Sequence, residues 1–229
     1  MRLALAALVA AALAAVPALA QTPAPAPIPE GRIGVVTYVE TNPSSAQAAI
    51  KALRAYRDAT AKEAGAASVA VYREIRRPNR FVINEAWKDF ASFDAHAKAS
   101  TLGSAMKAAD LAPPDSRMHT DWSAAPAKPA GAGAIYVFTH IDVSPPQLAG
   151  LQAILPAFIE KSRAEKGALR VDLLQALAPK RNHQTLAETW ASERDFAAHQ
   201  ASAHAIEFRD KLGPLLGALY DQRVYALVQ

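Results

Sequence analysis

The chain repeats itself at a fixed spacing. The stretch Thr185-Leu186-Ala187-Glu188-Thr189-Trp190, followed by His199, has an earlier counterpart in Ile83-Asn84-Glu85-Ala86-Trp87, followed by His96. Glu85 and Glu188, Trp87 and Trp190, Phe93 and Phe196, and His96 and His199 are each 103 positions apart, with no gap among them. Four residue types matched at one offset define a unit of about 100 residues that is present twice, and such a repeat settles the architecture before any single motif does. With 51% of its residues apolar, the chain has enough to fill two small cores.

Each unit has the same order of elements. In the first, residues 33–40 are β-branched and spell a strand. Asn42-Pro43 is a helix start, and Ile50, Leu53, Tyr56 and Ala59 or Thr60 then recur at three- to four-residue spacing until Gly65. Residues 68–75 and 80–87 form a hairpin around Arg77-Pro78-Asn79, a second helix presents Phe90, Phe93 and His96, and a shorter helix runs through Leu102 and Met106. Pro113-Pro114 breaks that helix before a last strand over 117–122. The second unit has strands at 135–143, 169–177, 183–190 and 219–228. Its first helix starts at Ser144-Pro145, with a kink or an irregular first half expected from Pro156, and its short helix spans 205–216. Strand–helix–strand–strand–helix–strand is the ferredoxin-like order, in which helices cover only one face of the sheet. The expected fold is therefore α+β: two tandem ferredoxin-like domains forming an intrachain pseudo-dimer, their sheets closing face to face or as a dimeric α/β barrel.

The ends and the joint read separately. Met1-Arg2, an apolar run over 3–16, Pro17 and Ala18-Leu19-Ala20 have the form of a signal peptide cleaved before Gln21, which predicts a periplasmic or secreted protein. The run is shorter than the roughly 20 residues a membrane span needs. Residues 21–31 are a Pro/Ala-rich leash, 32–123 the first domain, 124–133 a linker of Ala, Pro, Gly and one Lys, and 134–229 the second domain. Without cysteine there are no disulfides and no thiolate metal sites. Loss of Arg2 leaves 24 basic against 21 acidic residues, a balance that argues against nucleic acid and, once the signal is removed, against a membrane surface as partner.

A unit of this size ending in E-x-W, F-x-x-H, a short helix and a strand resembles the antibiotic biosynthesis monooxygenase family, and the resemblance covers residues 33–228 as two tandem domains. It implies a dimeric α+β barrel and a range of chemistries: quinol and anthrone monooxygenases that use neither metal nor flavin, haem-degrading enzymes and small-molecule isomerases. The haem-degrading branch has an Asn on the first strand, a Trp on the second helix and a His about ten residues on. Here those places hold Thr37 or Thr139, His96 or His199, and Met106 or Arg209, so the resemblance does not extend to haem degradation. The anthrone-type enzymes match at Trp87 and Trp190, and where they have a Tyr six residues later this chain has Phe93 and Phe196.

The repeated polar residues are the candidate site: His199, Trp190 and Glu188, with His96, Trp87 and Glu85. Strand parity puts each Glu on the same face as its Trp. The indole is either a wall for stacking a planar substrate or simply core. The imidazole either takes a proton from a phenol, making the anion that reacts with O₂, or is bonded to a neighbouring carboxylate or carbonyl. The carboxylates either orient the histidines or form strand-end salt bridges. His199 and His204, five apart on one expected helix, would lie on different faces, so no metal is expected there. Arg73, Arg76, Arg77 and Arg80 around the first hairpin read as a solvated turn or, alternatively, an anion clamp. The sequence has no zinc-protease, phosphate-loop or nucleophile-elbow motif. The expected function is an exported, cofactor-independent monooxygenase-like protein acting on a small aromatic or quinol, without cofactor or metal. The alternatives are a non-catalytic ligand-binding or stress-related module, or a pair in which one half is active and the other completes the barrel. The second half is the better candidate, because the helix after Trp190 carries His199, Ser202 and His204.

Overall fold

A computed structural model describes residues 30–99, 102–108, 112–121, 130–177 and 180–229. The signal-like segment, the leash as far as residue 29, Trp122 and linker residues 124–129 lie outside the described residues.

The first repeat runs β1 (Ile33–Glu40), α1 (Ala46–Thr60), β2 (Ala66–Glu74), β3 (Arg80–Trp87), α2 (Phe90–Ala99), α3 (Leu102–Ala108) and β4 (Asp115–Asp121). The second runs β5 (Ile135–Asp142), α4 (Leu148–Arg163), β6 (Ala168–Ala176), β7 (His183–Trp190), α5 (Glu193–Gln200), α6 (Ala203–Leu212) and β8 (Asp221–Leu227). The eight strands close into a barrel in the order β1-β3-β2-β8-β5-β7-β6-β4, antiparallel throughout. Each repeat keeps its last strand at the edge of its own sheet, β4 beside β1 and β8 beside β5, and that strand also pairs across to the other repeat, β4 with β6 and β8 with β2. These bridges explain why the unit is doubled, because a single four-stranded sheet would keep open edges.

Alternation along the strands sorts the side chains into two sets. One face points into the barrel, which Val36, Tyr72, Val82, Phe138, Leu174, Ala187 and Tyr225 fill. The other face points at the helices. There Leu53, Tyr56, Phe81 and Ile83 form one core, and Leu151, Leu155, Phe158 and Leu186 its counterpart. Trp87 and Trp190 anchor smaller clusters at the β3 and β7 ends.

Local details follow the repeat. Both β2 and β6 carry a register shift at their starts, between Ala66 and Ser68 and between Ala168 and Arg170. Before these lie Gly65 and Gly167, at φ 87° and 92°. A Cβ on Gly65 would sit 2.2 Å from Ser92 Oγ, and one on Gly167 2.5 Å from Asp195 Cγ. Glycine is thus needed twice over, for the backbone and for the approach of the next helix. Pro156, from which a kink or an irregular first half is expected, lies inside α4, which runs as one helix from Leu148 to Arg163 with Pro156 on its exposed side. The irregular piece is a 3₁₀ turn, Pro145–Gln147, ahead of the helix. The first repeat has the same turn at Pro43–Ser45 without an internal proline, so Pro156 is not its cause.

Candidate active site

The six residues singled out by the repeat gather into two equivalent clusters, one under each set of helices. In the first, β3 supplies Glu85 and Trp87 on its helix-facing side, and α2 lowers His96 onto the indole, with ring centroids 4.6 Å apart. In the second, β7 supplies Glu188 and Trp190, and α5 sets His199 at 4.5 Å from the indole. Asp89 and Ser192 fix where these helices begin by accepting the backbone N–H of Ser92 and Asp195.

The histidines are tethered by carboxylates, but not those expected. His96 Nδ1 lies 2.8 Å from Glu63, and His199 Nδ1 2.6 Å from Glu165. Both glutamates stand just after the first helix of their repeat, two residues before the positive-φ glycine. Sequence reasoning missed them because a loop glutamate looks like any helix-end charge. Their identical placement in the two repeats was the available signal.

Beyond that tether the clusters differ. In the first, the Tyr56 hydroxyl donates to Glu85 Oε1 at 2.5 Å and lies 3.0 Å from His96 Nε2, while Trp87 Nε1 donates to Glu85 Oε2 at 3.2 Å. Every polar member has a partner. In the second, the place of Tyr56 is taken by Phe158, whose ring stands 5.7 Å from His199 as that of Tyr56 stands 6.0 Å from His96. Phenylalanine has no hydroxyl to give. Glu188 Oε1, the counterpart of the oxygen that Tyr56 bonds, is consequently buried without a hydrogen-bond partner among the described residues, and so is Trp190 Nε1, whose counterpart in the first repeat bonds Glu85 Oε2. His199 Nε2 stands 3.8 Å from Oε1, too long for a hydrogen bond.

Electrostatics follow from this. Burial, with the Glu165 charge adding to it, pushes the Glu188 carboxyl up to about 8, so it is largely protonated at neutral pH. Burial pushes His199 below its usual value, against the pull of the hydrogen bond to Glu165. A neutral acid and a neutral imidazole thus face each other beside an unused indole N–H, an arrangement able to bind an oxygen and move its proton.

His204 joins this cluster, contrary to expectation. Ser202 caps a new helix by accepting the N–H of Ala205, so α5 ends before α6 begins. The chain turn returns His204 Nε2 to 3.0 Å from the same Glu165 oxygen that holds His199. The expectation placed His204 on the helix of His199 and began the next helix at 205; Ser202 caps it earlier, so His204 belongs to α6. Thr37 and Thr139 are buried on the helix-facing side and bonded to Ser116 and Gln222. Of the hairpin arginines, Arg73 donates to Pro78 O and Arg80 pairs with Glu40, as a self-contained turn would have them.

The second cluster is closed to solvent. Trp190 is 0% and His199 1% exposed. A cavity of about 400 Å³ lies outside, lined by Phe196, Ala197 and Gln200 of α5 with Ile135 and Val224. Phe196 is the partition, its ring 6.2 Å from both Trp190 and His199. A smaller one of about 110 Å³ touches His204 and Phe158.

The sequence profile described as antibiotic biosynthesis monooxygenase matches residues 32–108 and again residues 134–211. Among solved structures, a Fusobacterium nucleatum protein carrying a provisional monooxygenase name aligns over 87% of this chain and 93% of its own, at 17% identity and a TM-score of 0.75. An anthrone oxidase-like protein aligns over 87% and 92%, at 15% identity and a TM-score of 0.69. A Lactobacillus acidophilus protein, also provisionally named a monooxygenase, gives 10% identity over 87% and 95%, with a TM-score of 0.67. At these identities the likeness is one of fold. No curated protein matches the chain.

Proposed function

The chain belongs to the antibiotic biosynthesis monooxygenase family, whose membership supports a monooxygenase-like function, and from that premise we propose that it is an exported, cofactor-independent enzyme that oxidises a small aromatic or quinol in its second repeat. The observation that carries this reading is the exchange of Tyr56 for Phe158. It removes the hydroxyl that would bond Glu188 Oε1, which is left unpartnered beside His199 together with Trp190 Nε1, where the first repeat closes the same network.

In this mechanism the substrate passes Phe196 and lies against Trp190. His199, held through Nδ1 by Glu165, takes the phenolic proton on Nε2. The indole N–H and the protonated Glu188 donate to the resulting oxyanion, and burial strengthens both bonds. The electron-rich anion then reacts with O₂, one oxygen atom entering the substrate and the other leaving as water, with the electrons supplied by the substrate. The first repeat completes the barrel. Oxygen uptake by chelator-treated protein across a panel of hydroquinones and anthrones tests the reading. His199→Ala should cut turnover by about 10²-fold or more, and unchanged turnover with an intact fold refutes the proposed base. Export rests on Arg2, the apolar run and Ala18-Leu19-Ala20, and intact mass of the native protein should place its N-terminus at Gln21 or within a residue or two.

The burial of His199 favours one other reading, a non-catalytic ligand-binding module on the same fold. It predicts that aromatic ligands bind without oxygen uptake.

A further inference from the structure

Because all strand pairs are antiparallel, β1, β2, β5 and β6 end where β3, β4, β7 and β8 begin, at one mouth of the barrel. The two repeats build this mouth from matched parts. Asp115 and Arg117 of β4 form an ion pair at 2.7 Å, and Asp221 and Arg223 of β8 another at 2.6 Å. Next to them the repeats diverge. In the first, Glu40 is bound by Arg80 at 3.1 Å, and Asn79 Nδ2 lies 3.4 Å from its other carboxylate oxygen. In the second, Asp142 stands for Glu40, Asn182 donates to its Oδ1 at 3.3 Å, and His183 takes the place of Arg80. Tyr38 of β1 is matched by His140 of β5.

We propose that His140, Asp142 and His183 form a binding site for one divalent transition-metal ion of the zinc class at this mouth. A ring nitrogen of each histidine and a carboxylate oxygen of Asp142 lie within 4.8 Å of one another. His183 Nδ1 stands 3.4 Å from Asp142 Oδ2. That is long for a charge-assisted hydrogen bond, yet it matches the roughly 3.3 Å edge of a tetrahedron whose metal–ligand bonds are about 2.05 Å. Asn182 holds Oδ1 and leaves Oδ2 free to ligate, the outer support that metal-bound carboxylates commonly have. Two imidazoles and one carboxylate are a donor set suited to zinc, cobalt or nickel.

A second observation points to a ligand here. The three residues line a cavity of about 590 Å³ together with His119. His119 is 1% exposed; its Nε2 lies 3.2 Å from Thr185, and its Nδ1 is closed off without a partner among the described residues. His140 Nδ1 is likewise unpartnered. Lys180 and Arg117 also line the cavity, Arg117 already neutralised by Asp115, so the open coordination positions would take water or a small anion. The guanidinium of Arg80 cannot ligate a cation, which confines the site to the second repeat. It lies on the inner face of the sheet, with Trp190 and His199 on the outer, and does not depend on the oxidation chemistry.

Titration of the chelator-treated full-length protein with Co²⁺ should show one ion per chain, visible d–d absorption of an N/O site and displacement by Zn²⁺. His183→Arg restores the pairing of the first repeat and so should fold, yet it should weaken binding at least ~100-fold, as should Asp142→Asn. Zn²⁺ should shift the ring resonances of His140 and His183 in the unmutated protein. The proposal is overturned by absence of saturable binding, by binding retained in His183→Arg, or by binding lost in His204→Ala instead, which would assign the ion to Glu165, His199 and His204. None of these readings requires turnover, so failure here leaves the oxidase reading intact, and the reverse.

Discussion

At position 158 a single missing hydroxyl separates two otherwise matching networks. Phe158→Tyr should supply Glu188 with the partner that Tyr56 gives Glu85. Denaturant unfolding should show a gain of about 1 kcal/mol, the usual worth of one added hydrogen bond, while oxygen uptake falls because the oxyanion position is filled. The same carboxyl sets a pH limb. Its folded value of about 8 lies above the ordinary 4.5, so its contribution is present at low pH and is lost as pH rises through 8. His119 and His140 work from the acid side: burial lowers both from 6.5 to about 4, so their contribution is lost as pH falls through that range. Between pH 6.5 and 8 Glu188 dominates, and thermal melts should decline there by up to ~1.4 kcal/mol per pH unit. Glu188→Gln should flatten that limb and leave the acid limb in place. An unaltered alkaline limb would show that Glu188 is not the group responsible. The sequence displayed Glu188, Trp190 and His199 as a set but not what surrounds them. A hydrogen bond between residues 34 positions apart, such as Glu165 to His199, leaves no mark on the local alternation of the chain, only the matched placement of Glu63 and Glu165. The same holds for His140 and His183, whose counterparts in the first repeat, Tyr38 and Arg80, are not histidines, and which meet only through strand register.

Among elements, the junctions where α2 and α5 meet the glycine turns are the least tolerant points. Gly167→Ala would place a methyl group against Asp195, the N-terminal acidic residue bonded to the Ser192 cap, at a backbone conformation costly for any other residue. Strain of this kind is worth roughly 1–3 kcal/mol, and the contact adds to it. Because α5 carries His199, the variant should lose activity more than stability alone requires, measured as turnover per folded molecule at a temperature where both proteins are folded. Strands and helices were legible because alternation and three-to-four spacing are local signals. The exceptions were Pro156 and the place of the α5–α6 break, which falls before Ala203 rather than at 205. Pro156 sits on the exposed side of a helix whose other face buries Leu151, Leu155, Phe158 and Ser162, so packing overrides its intrinsic cost. The break depends on a single capping serine inside a segment with helical composition.

As a whole, the molecule is a dimer made covalent, and fusion has let its halves diverge. Closure of the barrel rests on β4 pairing with β6 and β8 with β2, so neither repeat can close its sheet alone. Residues 21–123 expressed alone should therefore self-associate or aggregate, and a stable monomer by light scattering would contradict the built-in dimer. Among the described residues no helix is long and apolar enough to cross a membrane. The repeat spacing made the doubled architecture readable, since matched residues at one offset demand matched folds. It did not reveal which half had kept a closed network, because Tyr56 and Phe158 serve equally well as apolar helix positions. That asymmetry is tested most directly by oxygen uptake on one substrate by His199→Ala and His96→Ala, each checked for fold by circular dichroism. The second-repeat site requires a loss of about 10²-fold or more in His199→Ala and near-normal turnover per folded molecule in His96→Ala. Equal losses, or a loss confined to His96→Ala, would contradict it.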